Sequence, residues 1–277
     1  MTNNIYRNYR NIAFPESFYP PIGQTWEYSA RIEAGADIAS QTTVTIVALV
    51  RNAGNYFTKF ISRVKAIGEL FQNYQVFLYE NDSHDFTPAL ITQNQLEIKN
   101  YSYLCEKLNK PRHPNDTSQE RTVDMAYYRN QYLRYIREKA ERTTYVLILD
   151  SDLHGGYSYE GILHSLSLDY DIVTSNGLLY LDGKRHFYDT WAYRRLGHPE
   201  PHISAEINEL FLHRNEEPVK ILSGFGGMAI YKRHCFDNSF QYQAGDCDHP
   251  TLHKQLPYEV WLNPSQITLY SQTYYNG

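Results

Sequence analysis

Cysteine is scarce, three in 277 residues, and Cys105, Cys235 and Cys247 fall at irregular spacing. An odd set of this kind builds no disulfide framework and holds no paired-cysteine zinc motif, so it fits a reducing compartment. Long apolar runs are missing as well. No stretch of about 18 apolar residues offers a membrane-crossing helix. The opening run from Met1 to Arg10 lacks the apolar core that a secretory signal needs. These absences together make a cytoplasmic protein the expectation. Positive charge is not in excess either: the formal net charge is −5, which disfavours a nucleic-acid polymer as partner. Internal repeats and low-complexity segments are also lacking. Tyrosine, by contrast, is abundant at 26 residues. Its ring and polar tip suit sugars and nucleobases, although any single tyrosine is more readily a packing residue.

Residues 1 to 40, with Phe14-Pro15 and Tyr19-Pro20-Pro21, show no period and read as an irregular arm lying across a domain of residues 41–277. The run from Thr43 to Val50 is continuous and β-branched, the pattern of a buried strand. Arg51-Asn52-Ala53-Gly54 breaks it. Phe57, Phe60, Ile61, Val64, Ile67 and Phe71 then recur at helical spacing, and Gln75 to Tyr79 reads as a second strand. Strand, helix, strand implies a parallel sheet, whose ligands gather at the carboxyl ends of the strands. The segment around Lys110-Pro111-Arg112-His113 reads as a loop. From Arg121 to Glu141 an amphipathic helix is expected, with Ala126, Leu133, Ile136 and Ala140 on one stripe and Arg129 among them. Thr144 to Leu149 is a strongly apolar strand ending in Asp150-Ser151-Asp152, and Asp171–Ser175 and Met228–Tyr231 are further strands.

Asp-x-Asp occurs three times, as Asp150/Asp152, Asp169/Asp171 and Asp246/Asp248. Short motifs recur by chance, so context must separate them. Only the first pair closes a fully apolar strand, where two carboxylates one residue apart can share a divalent cation and its phosphate partner. A solvated strand-end turn is the plainer alternative. Near the C-terminus, Asp246-Cys247-Asp248-His249 is followed by His253, a mixed oxygen and imidazole set that suits Mn²⁺ better than Mg²⁺; a polar surface loop would look the same. Arginine on an apolar stripe, as at Arg129, must snorkel, meet an internal carboxylate, or bind an anion such as a diphosphate. Gly224-Phe225-Gly226-Gly227 permits close backbone approach, either as a tight turn or as a wall of an acceptor pocket with Gly226 and Gly227 in it.

The pieces V-A-L-V-R-N (47–52), Y-E-N-D-S (79–83), A-Y-Y-R-N (126–130), L-I-L-D-S-D-L (147–153), V-T-S-N-G (173–177), Y-D-T-W-A-Y-R (188–194), S-G-F-G-G-M-A-I-Y (223–231) and C-D-H-P-T-L-H (247–253) run in consistent order. Together they resemble GT-A glycosyltransferases that include fungal capsule mannosyltransferase-like proteins and enzymes encoded by large algal viruses. The resemblance implies an α/β, Rossmann-like single domain with a mostly parallel central sheet flanked by helices. It places Arg51, Asp82, Arg129, Asp150 and Ser151 toward a nucleotide-sugar donor, with Asp152 and His249 or His253 on a metal, Mn²⁺ or alternatively Mg²⁺. Asn176, Asp189 and Trp191 would join Gly226 and Gly227 on the acceptor side. Relatives usually carry glutamate between the last motif's cysteine and histidine, where this chain has Asp248.

The reaction so implied moves a hexose-type sugar from a nucleotide diphosphate, UDP-linked by preference or GDP-mannose, to a hydroxyl of a glycan or glycoconjugate. A metal would neutralise the leaving diphosphate. An inverting enzyme would also need a carboxylate base, Asp248 first and Asp246 second; a retaining one would not. Two other readings compete. A sugar-nucleotide pyrophosphorylase would carry a glycine-rich loop where Arg51-Asn52-Ala53-Gly54 stands, and a non-catalytic sugar-binding relative would need no metal.

Overall fold

A computed structural model describes residues 14–95, 97–113, 117–181, 184–201 and 210–270. Residues 1–13 of the expected arm and the final stretch 271–277 lie outside the described residues. The expected strands form: β1 (Thr43–Val50), β2 (Asn73–Asn81) and β4 (Tyr145–Asp150). β1 pairs in parallel with β2 on one side and with β4 on the other, and β3 (Tyr101–Glu106) adds a parallel edge next to β2. Beyond β4 the sheet becomes mixed. β10 (Met228–Lys232) runs antiparallel to β4, next comes β6 (Ile172–Leu181), and β11 (Val260–Tyr270) lies parallel to β6. β9 (Val219–Ser223) and β8 (Arg194–Arg195) close that edge, while β5 (Gly156–Tyr157) pairs with β11 and β7 (Lys184–Phe187) with β6. Parallel order therefore governs the half of the sheet built from β1 to β4.

The sheet is buried on both faces. Val44, Ile46, Ala48 and Val50 of β1 point to the side covered by α2 (Phe57–Gly68), and Val47 points to the other side, under α4 (Gln119–Lys139). That two-residue alternation in a wholly apolar strand is what a doubly covered parallel sheet requires. Ser118 caps α4 by accepting the Arg121 N–H. A short helix, α3 (Thr87–Asn94), bridges β2 and β3.

The expectation of an irregular arm up to residue 40 needs correction. α1 (Thr25–Gln41) is a regular helix that packs on α5 (Tyr159–Leu166). Its buried positions are Tyr28, Gly35 and Ala39, and a Cβ on Gly35 would sit 1.8 Å from the Leu163 carbonyl oxygen. A contact stripe made of small residues leaves no apolar period to read. Upstream, Phe14 and Tyr19 pack against Leu178, Ile267 and Leu269. Buried Arg214 ties this segment down through Glu16 (2.5 Å) and Glu160 (2.9 Å).

Candidate functional site

β1 and β4 end side by side, with Leu49 in register with Asp150. β10 begins at the same level, Met228 opposite Leu149, so the turn before β10 closes the same end of the sheet. Here the chain opens a cleft of about 510 Å³, lined among others by Arg112, Arg121, Arg129, Asp150, Asp152, Asp189, Trp191, Asp248 and His249. The turn that carries the carboxylates is fixed from several sides. The Asp150 N–H donates to the Gly227 carbonyl (2.9 Å) and the Ser151 hydroxyl to the Leu49 carbonyl (2.8 Å). Buried Arg63 of α2 donates to the carbonyls of Leu153 (2.7 Å) and His154 (2.9 Å). Ser151 thus holds the backbone and does not line the cleft.

Burial raises the Asp150 carboxyl against the pull of Arg129. Burial, and next the Asp150 charge, push Asp152 up to about 7. Two carboxylates that disfavour each other's charge are a ready partial seat for a divalent cation. Among the described residues no group of three or more His, Cys, Asp or Glu side chains is arranged to hold a metal by itself. The Asp150/Asp152 pair would supply part of a divalent cation's shell and does not make an all-protein cage.

Arg129, on the apolar stripe of α4, is buried and does not snorkel; it meets a carboxylate. Its Nε pairs with Asp248 and its Nη2 lies 3.8 Å from Asp150 Oδ1, while Nη1 donates to the Tyr132 hydroxyl (3.0 Å). The internal ion pair left open by the sequence is therefore present, with Asp248 as the partner. Removing one member of a buried pair strands the other charge, so Arg129→Met should cost about 3–5 kcal/mol of stability. The check is the urea midpoint at constant slope; an unchanged midpoint would mean that the pair contributes nothing.

The C-terminal cluster separates into different roles. α6 (Asp248–His253) is helical with Pro250 in its first turn, where its missing N–H costs no helical bond. Asp248 and His249 line the cleft. His249 is 1% exposed and stacks on Phe225 at 3.9 Å, and neither ring nitrogen has a hydrogen-bond partner among the described residues. Burial, and then Arg129, hold its pKa well below the usual histidine value, so the ring is neutral with a lone pair to offer. His253 does not fit a metal shell. Its Nδ1 pairs with the Ser223 hydroxyl (2.9 Å) and its Nε2 with the Tyr231 hydroxyl (2.8 Å), leaving no free nitrogen. Asp246 is likewise drawn off: it accepts from buried Arg194 (2.8 Å) and from the Cys247 N–H (2.7 Å) and lies outside the cleft lining. The pair Asp169/Asp171 sits at the opposite end of the sheet, bridged to Lys232 at 2.8 and 3.4 Å.

Burial lowers the pKa of His253 to about 3 and that of His164, also buried, to about 4. The unfolded chain protonates histidine near pH ~6.5. The stability these neutral rings contribute is therefore complete above about pH 6.5 and is lost as pH falls toward the folded values, by up to about 1.4 kcal/mol per pH unit for each ring. A lower urea midpoint at pH 5 than at pH 7, and a shallower fall in His253→Gln, are the expected results. Equal slopes for the two proteins would remove His253 from this account.

Arg51 and Asp82, expected to face the donor, bind the chain's own backbone. Arg51 donates to the carbonyls of Lys110 (2.7 Å) and Pro111 (3.1 Å). The Asp82 carboxylate accepts the N–H groups of Leu108, Asn109 and Lys110 at 2.8, 2.8 and 3.0 Å. Asn176 is an interior strut, donating to the carbonyls of Leu212 (3.3 Å) and Pro264 (3.2 Å). Gly226 and Gly227 form the tight turn, with φ of +62° and +83°. A Cβ on Gly226 would stand 2.4 Å from the Ser175 carbonyl oxygen, so only glycine fits. Neither glycine lines the cleft; Gly226 reaches it through its N–H, which donates to Asp189 (3.2 Å).

Asp189 and Trp191 do line the cleft. Burial, and then the Asp150 charge, raise the Asp189 carboxyl to about 7. The sequence did not single out Arg112, Arg121 and Tyr188, which also face this space. Arg121 lies over the Trp191 ring at 4.4 Å, and the Tyr188 hydroxyl is 3.5 Å from Asp150 Oδ2. Tyr188 stood in a quoted motif, but nothing in local pattern marks the two arginines.

A half-parallel α/β sheet that gathers acidic and basic side chains at the shared ends of β1 and β4 is the architecture of a GT-A glycosyltransferase, and solved structures share it. GalNAc-T7, determined with UDP, GalNAc and Mn²⁺, superposes with a TM-score of 0.51 at 9% identity, covering 92% of this chain and 54% of that one. TarS of S. aureus (residues 1–349) does so at 0.50 and 13% identity, covering 83% of this chain and 60% of that one. The match thus covers 54% and 60% of those two chains, and at such identities the likeness concerns the fold. The family itself comes from the sequence: residues 43–256 match the model of the family described as Cryptococcal mannosyltransferase 1, and the chain belongs to that family. No curated protein matches it. The likeness to enzymes of large algal viruses rests on the order of the motifs alone.

Proposed function

We propose that the protein transfers a hexose-type sugar from a nucleotide diphosphate to a hydroxyl of a glycan or glycoconjugate. One observation carries this reading: Asp150, raised by burial, and Asp152, raised by burial and by the Asp150 charge, share a single cleft with Arg129, Asp189 and Asp248. The family description supports mannose as the sugar and so brings GDP-mannose ahead of the UDP-hexoses that frequency within the fold would favour. When bound, Mn²⁺ or Mg²⁺ supplies charge neutralisation of the leaving diphosphate.

This chain's residues do the remainder. Asp150 and Asp152 would hold the cation, and His249, whose ring nitrogens have no hydrogen-bond partner among the described residues, would offer a neutral nitrogen from the same cleft lining. Arg129, held by Asp248 and Tyr132, keeps a fixed positive charge beside Asp150 at the cleft. Asp248 and Asp189 supply negative charge where the anomeric carbon becomes cationic, and either can take the acceptor's proton if the reaction inverts. Trp191, with its face partly covered by Arg121, gives the acceptor an aromatic surface. In this scheme residues 41–277 act as one catalytic domain.

A thermal-shift panel of GDP-mannose, UDP-glucose, UDP-galactose and UDP-N-acetylglucosamine, each with and without Mn²⁺, tests the proposal. A donor at about 100 times its Kd stabilises the native state by about 2.7 kcal/mol. One nucleotide sugar should raise the midpoint in a Mn²⁺-dependent way. No shift with any of them, alongside binding of free oligosaccharide, would favour the non-catalytic relative.

A further inference from the structure

Residues 107–113 leave the end of β3 and run to the cleft, and they are clamped at both ends. At the near end, Asp82 gathers three successive backbone N–H groups and Arg51 spreads its fork over two successive carbonyls. Burial would raise the Asp82 carboxyl, but the N–H groups of Lys110, Asn109 and Leu108, with the Asn81 amide, hold it below the ordinary value, as expected for a carboxylate whose bonds favour its charged form. At the far end, His113 Nε2 bonds Asp124 of α4 at 2.7 Å, and Lys110 Nζ lies 3.1 Å from the same carboxylate. Asp124 is itself buried.

Between the clamps stands Arg112. It is exposed, it lines the cleft with Asp150, Asp152 and Arg129, and among the described residues no hydrogen bond or ion pair engages its guanidinium. Its charge acts on the Asp152 carboxylate. The other two cleft arginines are occupied, Arg129 by Asp248 and Asp150 and Arg121 by the Trp191 face. A rigid segment holding an uncommitted planar cation beside two carboxylates is built for a third, polyanionic party. The backbone clamps remove the ordering cost that a mobile loop would incur on binding.

We infer that residues 107–113 form a preset phosphate arm, in which Arg112 binds the donor's diphosphate while Arg51 and Asp82 are positioning residues that never touch the donor. This rests on the nucleotide-diphosphate reading above and adds to it a residue and a division of labour. Phosphate takes the guanidinium fork bidentately, so lysine is an incomplete substitute.

The test is calorimetry with GDP and UDP, each with Mn²⁺, and with guanosine and uridine, on the full chain. For the nucleotide that the wild type binds, Arg112→Gln should weaken the diphosphate by about tenfold to a hundredfold, the usual scale for a charge-assisted bond, and leave the nucleoside unchanged. Arg112→Lys should recover part of the loss. Asp82→Asn should weaken the diphosphate in the same direction, and in the double variant Asp82→Asn/Arg112→Gln it should add little to Arg112→Gln alone, because it acts through Arg112. Wild-type diphosphate affinity in folded Arg112→Gln overturns the arm. Full additivity in the double variant overturns the positioning role. If the wild type binds neither GDP nor UDP with Mn²⁺, the donor reading itself fails, and the arm with it.

Discussion

Asp248→Asn is expected to bind the nucleotide diphosphate and yet release it from the nucleotide sugar about 10²- to 10⁴-fold more slowly than the wild type, the range typical of losing a positioned acid–base group. The substitution keeps the shape of the side chain and removes its charge. That charge lies in the cleft, beside the guanidinium of Arg129, on the first residue of α6. Asparagine cannot take the acceptor's proton, and it stabilises a cationic anomeric carbon less well than a carboxylate does. Because Arg129 loses a partner, the variant will also be less stable, so it should be assayed well below its unfolding midpoint with a folded control by circular dichroism. Asp189→Asn is the comparison: the two losses, set side by side, say which carboxylate faces the reacting carbon. Turnover at the wild-type rate in Asp248→Asn would limit that residue to holding Arg129 in place.

Asp152→Ala should abolish the Mn²⁺-dependent part of nucleotide-diphosphate binding. Titration of GDP and UDP with Mn²⁺ and with EDTA gives the difference directly, and in the variant the two curves should coincide. Asp152 is well placed for a clean result because its backbone turn is held by other groups, Arg63 on Leu153 and His154 and Ser151 on Leu49, so the fold survives the truncation. Removing a carboxylate that is raised to about 7 by burial and by Asp150 also relieves repulsion, and the apo variant should unfold no earlier than the wild type. A folded Asp152→Ala that keeps its full Mn²⁺ dependence would take the residue out of the site and leave Asp150 with His249 as the remaining candidates.

The sequence by itself determined the frame of this protein. β1, α2, β2, α4 and β4 were all legible because each is long enough, and apolar enough, for its period to outweigh local noise: β1 as a continuous β-branched run, β4 as a strongly apolar one, α2 as five buried apolar positions at helical spacing. The same logic selected Asp150 and Asp152 from three Asp-x-Asp pairs, since only that pair ends an apolar parallel strand, and it flagged Arg129 as a charge that had to snorkel to solvent or meet an anion. α1, with its small-residue stripe, and the short helices α3 and α5 gave no such signal.

Only the tertiary structure decided who meets whom. Whether Arg129 faced a donor or an internal carboxylate depended on where α6 docks, and α6 brought Asp248 to it. His249 and His253 stand four apart on one short helix, yet one ring is orphaned in the cleft while the other is spent on Ser223 and Tyr231. Arg51 and Asp82 sit at strand ends as a donor site would have them, and there they bind the backbone of residues 108–111 and leave Arg112, from an undistinguished loop, to face the cleft. The reason is physical. Burial and periodicity are properties of a segment and can be read along it, whereas a buried polar group takes whichever partner the packing of distant segments presents, and that choice is made in three dimensions.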